Sequence, residues 1–215
     1  MNAPEVVVVD YGMGNLLSVR RALERCGATV RVTADPSAIR SASRVVLPGV
    51  GAFSDAMGEL RRQSLDVVLR EVAARGIPLL GICLGMQMLL DESEEYGTNT
   101  GLGLIPGRVV PIPGLTVDGQ MQKIPHIGWS ALNYPLGRED WSGTLLHEVK
   151  PRDAVYFVHS FMASPKVPAH RVAECLYGGI PVLATIEHDN VLGCQFHPEK
   201  SGEVGLKILK RFMIK

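Results

Sequence analysis

The sequence predicts an α/β fold, with a mostly parallel central sheet flanked by helices and an antiparallel extension in the second half. Three observations carry that expectation. Strand-like runs alternate with helical patterns up to about residue 95. Those runs are apolar throughout, which marks strands covered on both faces. From residue 101 onward, short strands follow one another with frequent Gly and Pro, a pattern of hairpins.

Taken in order, "EVVVVD" (5–10) reads as the first buried strand. A Gly-rich turn leads to a helical pattern over 14–26 that ends at Cys26-Gly27. "ATVRVT" is the second strand, and "RVVLPGVG" is the third, stopped by its Pro/Gly turn. Residues 54–75 predict one charged amphipathic helix capped by Ser54 or Asp55. "IPLLGIC" returns to strand and "LGMQMLLDESEE" reads as helix. Strands are expected at 107–112, 155–159, 171–177, 181–187 and 191–196, and a closing amphipathic helix at 201–214. The 134–154 segment gives no reading. With no repeat or linker, the expectation is a single domain over 1–215.

Composition narrows the function classes. Twenty-two basic and 22 acidic residues cancel, so no overall field draws the chain to nucleic acid or a membrane surface. No apolar run reaches the roughly 18 residues of a membrane span. The first residues lack the basic and apolar regions of a signal peptide. Cys26, Cys83, Cys175 and Cys194 show no disulfide or zinc spacing, so a reduced, cytoplasmic setting without metal is expected.

The chemistry centres on Gly81-Ile82-Cys83-Leu84-Gly85, a nucleophile between glycines where strand turns to helix. That is the form of a nucleophile elbow, in which small neighbours allow a tight, strained bend. Free N–H groups at a helix start favour the thiolate, the reactive form, and the Leu84 N–H can help hold an oxyanion. The plain alternative is a buried structural cysteine.

A thiol nucleophile needs a base. His126, His147, His170 and His188 lie in turn-like surroundings and read as surface or loop residues. His159 ends an apolar strand and could line a pocket or sit satisfied in the core. His197, in "GCQFHPEKSG", stands two residues before Glu199. In extended chain those side chains share a face, so Glu199 can orient the imidazole and leave its other nitrogen for Cys83. Cys194, three residues from His197, points to the opposite face; with Cys26 and Cys175 it reads as packing.

"GICLGMQ" and "QFHPEKSG" resemble the class I (triad) glutamine amidotransferases. The blocks "VVDYGMGNLLSV", "LPGVGAF", "IPHIGW" and "YFVHSF" extend the resemblance along almost the whole chain, in the family's order. They narrow it to the branch that feeds a separate barrel-shaped cyclase, HisF, in histidine biosynthesis. The resemblance implies L-glutamine as substrate, no cofactor, and a heterodimer with HisF. It implies a Cys83–His197–Glu199 triad and an oxyanion hole from the backbone near Val50 and Leu84. The Gly49 and Gly51 turn, Gln87, His159, Ser160 and Phe161 match glutamine-binding positions. Asn15, Trp129, Tyr156 and Lys200 match positions at or near the partner interface, with a core tryptophan as the simpler account of Trp129.

Other readings share some of these residues. Glutaminases that serve pyridoxal phosphate or anthranilate synthase carry the same triad, and a cysteine peptidase would also use an elbow. Gly12-x-Gly14 after the first strand is a partial dinucleotide fingerprint, but Leu17 stands where its third glycine belongs. "GLGLIPG" (101–107) is weaker still, because Pro106 breaks a helix start.

Overall fold

A computed structural model describes residues 4–215. Strand β1 (Glu5–Val9) places Val6 and Val8 on one face of a sheet and Val7 and Val9 on the other. Both faces are buried, which is why the run carries no polar residue after Glu5. Helix α1 (Leu16–Arg25) leads to β2 (Thr29–Thr33). Helix α2 (Pro36–Ser41) was not anticipated. It is one short turn and a half, with Asp35 accepting from the Ser37 N–H and Pro36 opening it.

β3 (Val45–Gly49) follows, and the expected helix over 54–75 is two. α3 (Phe53–Arg62) and α4 (Leu65–Ala74) are separated at Ser64, whose φ of 56° breaks the helical path. Neither Ser54 nor Asp55 caps α3; the Phe53 N–H instead donates to Glu95 Oε2 at 2.7 Å.

β4 (Leu79–Cys83) runs directly into α5 (Leu84–Met88), which stops far short of the expected residue 95. The carbonyls that a longer helix would use inwardly are taken by the 101–104 loop. Leu102 N–H donates to Met88 O at 2.8 Å, and Leu104 N–H to Leu89 O at 2.9 Å. The chain leaves as β5 (Leu90–Ser93), followed by β6 (Asn99–Thr100) and β7 (Ile105–Pro111). The glycines of "GLGL" thus serve a close backbone packing, with the Cβ position of Gly101 falling against Leu90 O.

β8 (His126–Ala131) pairs antiparallel with β9 (Ala154–His159), setting Trp129 opposite Tyr156 and His126 opposite His159. β10 (Phe161–Pro165) pairs with β7, and β11 (Arg171–Tyr177), β12 (Ile180–His188) and β13 (Val191–Cys194) form a meander. Helix α6 (Gly202–Ile214) closes the chain after a 3₁₀ turn at Pro198–Lys200. The segment 134–154, silent in the sequence, anchors itself by Trp141, whose indole donates to Val172 O at 2.8 Å.

The main sheet has the order β11-β12-β13-β4-β3-β1-β2. β13, β4, β3, β1 and β2 are parallel, and β12 and β11 extend them antiparallel. This is the expected architecture. α1 and α6 cover one face through Leu23, Leu209 and Phe212; α2, α3 and α4 cover the other through Ile39, Leu60 and Leu69. No helix among the described residues is long and apolar enough to cross a membrane. The carboxyl ends of β3 and β4 lie side by side, with Gly49 in register with Cys83. Crevices at such strand ends are where open α/β sheets hold ligands.

Candidate active site

Cys83 has φ 56° and ψ −115°, a conformation that a residue with a Cβ adopts only under constraint. The glycines around it supply the constraint. A Cβ on Gly81 would lie 2.6 Å from Gly85 O, and one on Gly85 would fall onto the Leu47 carbonyl oxygen. A Cβ on Gly193, on the neighbouring strand, would strike the Met86 side chain. Backbone approaches this close leave room for no side chain, so α5 is pressed onto the ends of β3, β4 and β13 and the thiol is pushed to the rim. The elbow expected from five residues is present in geometry.

The β3 end is equally tight. A Cβ on Gly49 would sit 2.8 Å from Tyr11 Oη and 2.9 Å from Gly85 N. Val50 is exposed, Gly51 takes φ +98°, and both line the cavity that Cys83 and Leu84 open onto. The backbone at Val50 and that at Leu84 therefore flank the same opening, a cavity of about 390 Å³.

His197 lines that cavity with Cys83. Its backbone is pinned: its N–H donates to Tyr156 O at 2.9 Å, and Ser201 Oγ donates to its carbonyl at 2.6 Å. The Nδ1–H donates to Glu199 Oε1 at 2.8 Å, both side chains being buried. The two-residue spacing suggests an extended chain here. The pair meets instead because Pro198–Lys200 form a 3₁₀ turn that folds Glu199 back. Nε2 is buried and makes no hydrogen bond to another protein atom. Burial alone would lower the His197 pKa; the neighbouring Cys83 sulfur and the hydrogen-bonded Glu199 carboxylate outweigh it and raise it to about 9.

Gln87, Ser160 and Phe161 line the same space. Gln87 is fixed by donating to Phe161 O at 3.0 Å and to Gln195 Oε1 at 2.9 Å. His159 also lines it, donating through Nδ1 to Phe161 O at 2.8 Å; burial pushes its pKa down to about 4, so it is neutral. His126 corrects the expectation of a surface histidine. It is 2% exposed, stacked between Phe157 and Tyr177, and bonded to His159 at 3.1 Å and Ser130 at 2.9 Å. Its place opposite His159 on β8 is a pairing that local sequence does not reveal.

Glu95 was missed altogether. It reaches the cavity from the "DESEE" run, which reads in sequence as part of a helix. One of its oxygens holds the start of α3 at Phe53, and it adds a carboxylate to the cavity wall.

Trp129 is 58% exposed, which removes the core-tryptophan account of it. Its ring stands edge-on to Tyr156 with centroids 6.1 Å apart, and Lys200 Nζ lies 5.9 Å above the Tyr156 ring. Asn15 lines a narrow crevice with Val50, His197 and Glu199. The other thiols stand apart: Cys175 and Cys194 are buried, and burial raises the pKa of both. No group of three or more His, Cys, Asp or Glu that could hold a metal is found among the described residues.

The comparisons with known proteins agree along the chain. The family model "Glutamine amidotransferase class-I" matches residues 7–215. The imidazole glycerol phosphate synthase subunit HisH 1 of Legionella pneumophila (strain Lens) is 51% identical over 208 residues, 97% of this chain and 98% of that protein. The HisH subunit of Geobacillus thermodenitrificans is 48% identical, over 96% of this chain and 93% of its own. Among solved structures, PurLQS from Thermotoga maritima superposes with a TM-score of 0.71 over 99% of this chain and 98% of that one. At 19% identity, that likeness speaks for the fold alone. The family match over residues 7–215 and the near-half identity along almost the whole length lead to one conclusion: this chain belongs to the class-I glutamine amidotransferases, in the group of the HisH subunits.

Proposed function

We propose that this chain, acting as one domain, is the glutaminase subunit of an imidazole glycerol phosphate synthase. It hydrolyses L-glutamine to glutamate and ammonia and delivers the ammonia to a HisF cyclase docked over the site. The single observation that carries the reading is the shared cavity: a strained Cys83 and a carboxylate-held His197 face one space bounded by the Val50 turn.

In this reading the Cys83 thiolate attacks the side-chain amide carbon of glutamine, and the carbonyl oxygen takes up the negative charge. Backbone N–H groups at Leu84 and in the Val50 turn hold that oxyanion. His197 Nε2 gives its proton to the amide nitrogen, the C–N bond breaks, and ammonia leaves a thioester on Cys83. His197 then takes a proton from water, the hydroxide attacks the thioester, and thiolate and glutamate are released. Glu199 holds the imidazole by Nδ1 throughout. Glu95, on the cavity wall, suits the α-ammonium of the substrate. No step requires a cofactor.

Because ammonia is protonated and lost in bulk water, its release is useful only against a covered acceptor. Exposed Trp129 and Lys200 flank the half-buried Tyr156 ring, and Asn15 lines a crevice with His197 and Glu199; these residues suit a docked partner. Glutamate release by the isolated chain is therefore expected to be slow, rising at least tenfold when the cyclase and its nucleotide substrate are added. Full activity of the chain alone would contradict the coupling.

The His197 charge gives a pH dependence with a definite sign. Its pKa of about 9 lies above the ordinary 6.5, so the imidazolium is favoured in the fold; its stabilising effect is complete below 6.5 and disappears as pH rises through 9. The same proton is the one delivered to the amide nitrogen. The rate is expected to hold through neutral pH and fall as pH passes about 9. Glu199→Gln should shift that fall to lower pH, and a basic limb indifferent to this change would count against the assigned roles.

A further inference from the structure

Gln195 is completely buried beside the elbow, on the residue after β13. The register of β13 with β4 pairs Cys194 with Ile82, which brings Gln195 next to Cys83. A primary amide in such surroundings is unfavourable unless its donors and acceptor are used. Here they are used in a fixed direction. Gln87 Nε2 faces the carbonyl oxygen of Phe161 at 3.0 Å, so that position must be the nitrogen. Its second hydrogen goes to Gln195 Oε1 at 2.9 Å. Gln195 then has only its own Nε2 to turn toward Cys83 Sγ, 3.8 Å away. One backbone carbonyl sets the direction of two amides, and the chain ends with a donor on the sulfur.

We propose that Gln195 is a positioning residue for hydrolysis, holding a hydrogen-bond donor on the Cys83 sulfur and keeping the Gln87 carbonyl oxygen turned to the cavity. The inference rests on Cys83 being the nucleophile. A neutral thiol or a thioester sulfur is a poor acceptor, whereas a thiolate is a good one. The donor therefore favours the sulfur when it attacks and again when it leaves, and does little for the acylated state between. With both Gln87 hydrogens occupied, its Oε1 is the atom left for substrate N–H groups.

The test is the rate at which iodoacetamide alkylates Cys83, read by mass spectrometry of its peptide in the full chain. It compares the native protein with Gln195→Leu and Gln195→Glu at about pH 7 and about pH 10. At the lower pH the leucine variant is expected to react about tenfold more slowly, the factor that 1.36 kcal/mol makes. The glutamate variant, with a like charge beside the sulfur, should be slower still. At about pH 10, above the range in which ordinary thiols ionise, the leucine deficit should shrink below about twofold. A role in packing alone would alter both rates alike. Equal rates at the lower pH, or a deficit undiminished at the higher, would overturn the proposal. Should the Gln195 variants fail to fold, Gln87→Met removes the anchor that directs Gln195, and an unchanged alkylation rate there would overturn it equally. A native Cys83 no faster than Cys26 at the lower pH would instead refute the nucleophile itself, and that comparison needs no variant.

Discussion

Cys83→Ala is expected to reduce glutamine hydrolysis by about 10⁴-fold or more while leaving the fold and docking to the cyclase intact. The side chain it removes is the only thiol on the cavity wall among the described residues, and alanine, which like cysteine carries a single Cβ substituent, can keep the elbow backbone. Glutamate release by the assembled enzyme, with circular dichroism to check folding, measures it. Cys194→Ala is the paired control. Cys194 is fully buried, with burial raising its pKa, and its loss should leave turnover within about twofold. A large loss there, or persistent turnover without Cys83, would mean that the wrong sulfur has been chosen.

Gly85→Ala should be nearly as damaging by a different route. The added methyl falls on the Leu47 carbonyl oxygen, and this neighbour is backbone within the sheet, so it cannot swing aside. The elbow must open, separating α5 from β3 and moving Cys83 away from His197. Overpacking of this kind destabilises by about 3 kcal/mol, and the displaced nucleophile should lower kcat by at least about 100-fold. Thermal unfolding and glutamate release together check it. A variant with native melting temperature and native turnover would show that the close approach of the two backbones is not needed.

These two substitutions also mark what could be read in the sequence. The buried run Val6–Val9 announces a strand covered on both faces, and Gly81 and Gly85 announce a bend at Cys83; both are local signals whose cause lies within a few residues. His197 and Glu199 were legible for the same reason, although a 3₁₀ turn, not an extended strand, brings them together. What escaped depended on distant partners. The helix after Cys83 ends at Met88 because the loop at 101–104 captures its carbonyls, and nothing in "LLDESEE" signals that. Glu95 enters the cavity only because that helix ends early. His126 is buried by pairing with His159, and Gln195 finds Cys83 across a strand register. Periodicity carries no information about contacts made so far along the chain. The exposure of Trp129 was open for a further reason: an aromatic suits a core as well as an interface, and only placement decides.

The most direct measurement is a rapid quench of the enzyme turning over glutamine with its cyclase, followed by peptide mass spectrometry. The mechanism requires one glutamyl group bound through sulfur at Cys83 and nowhere else, appearing no later than ammonia and disappearing as glutamate forms. Glutamate released with no such adduct, or an adduct on another cysteine, would contradict it.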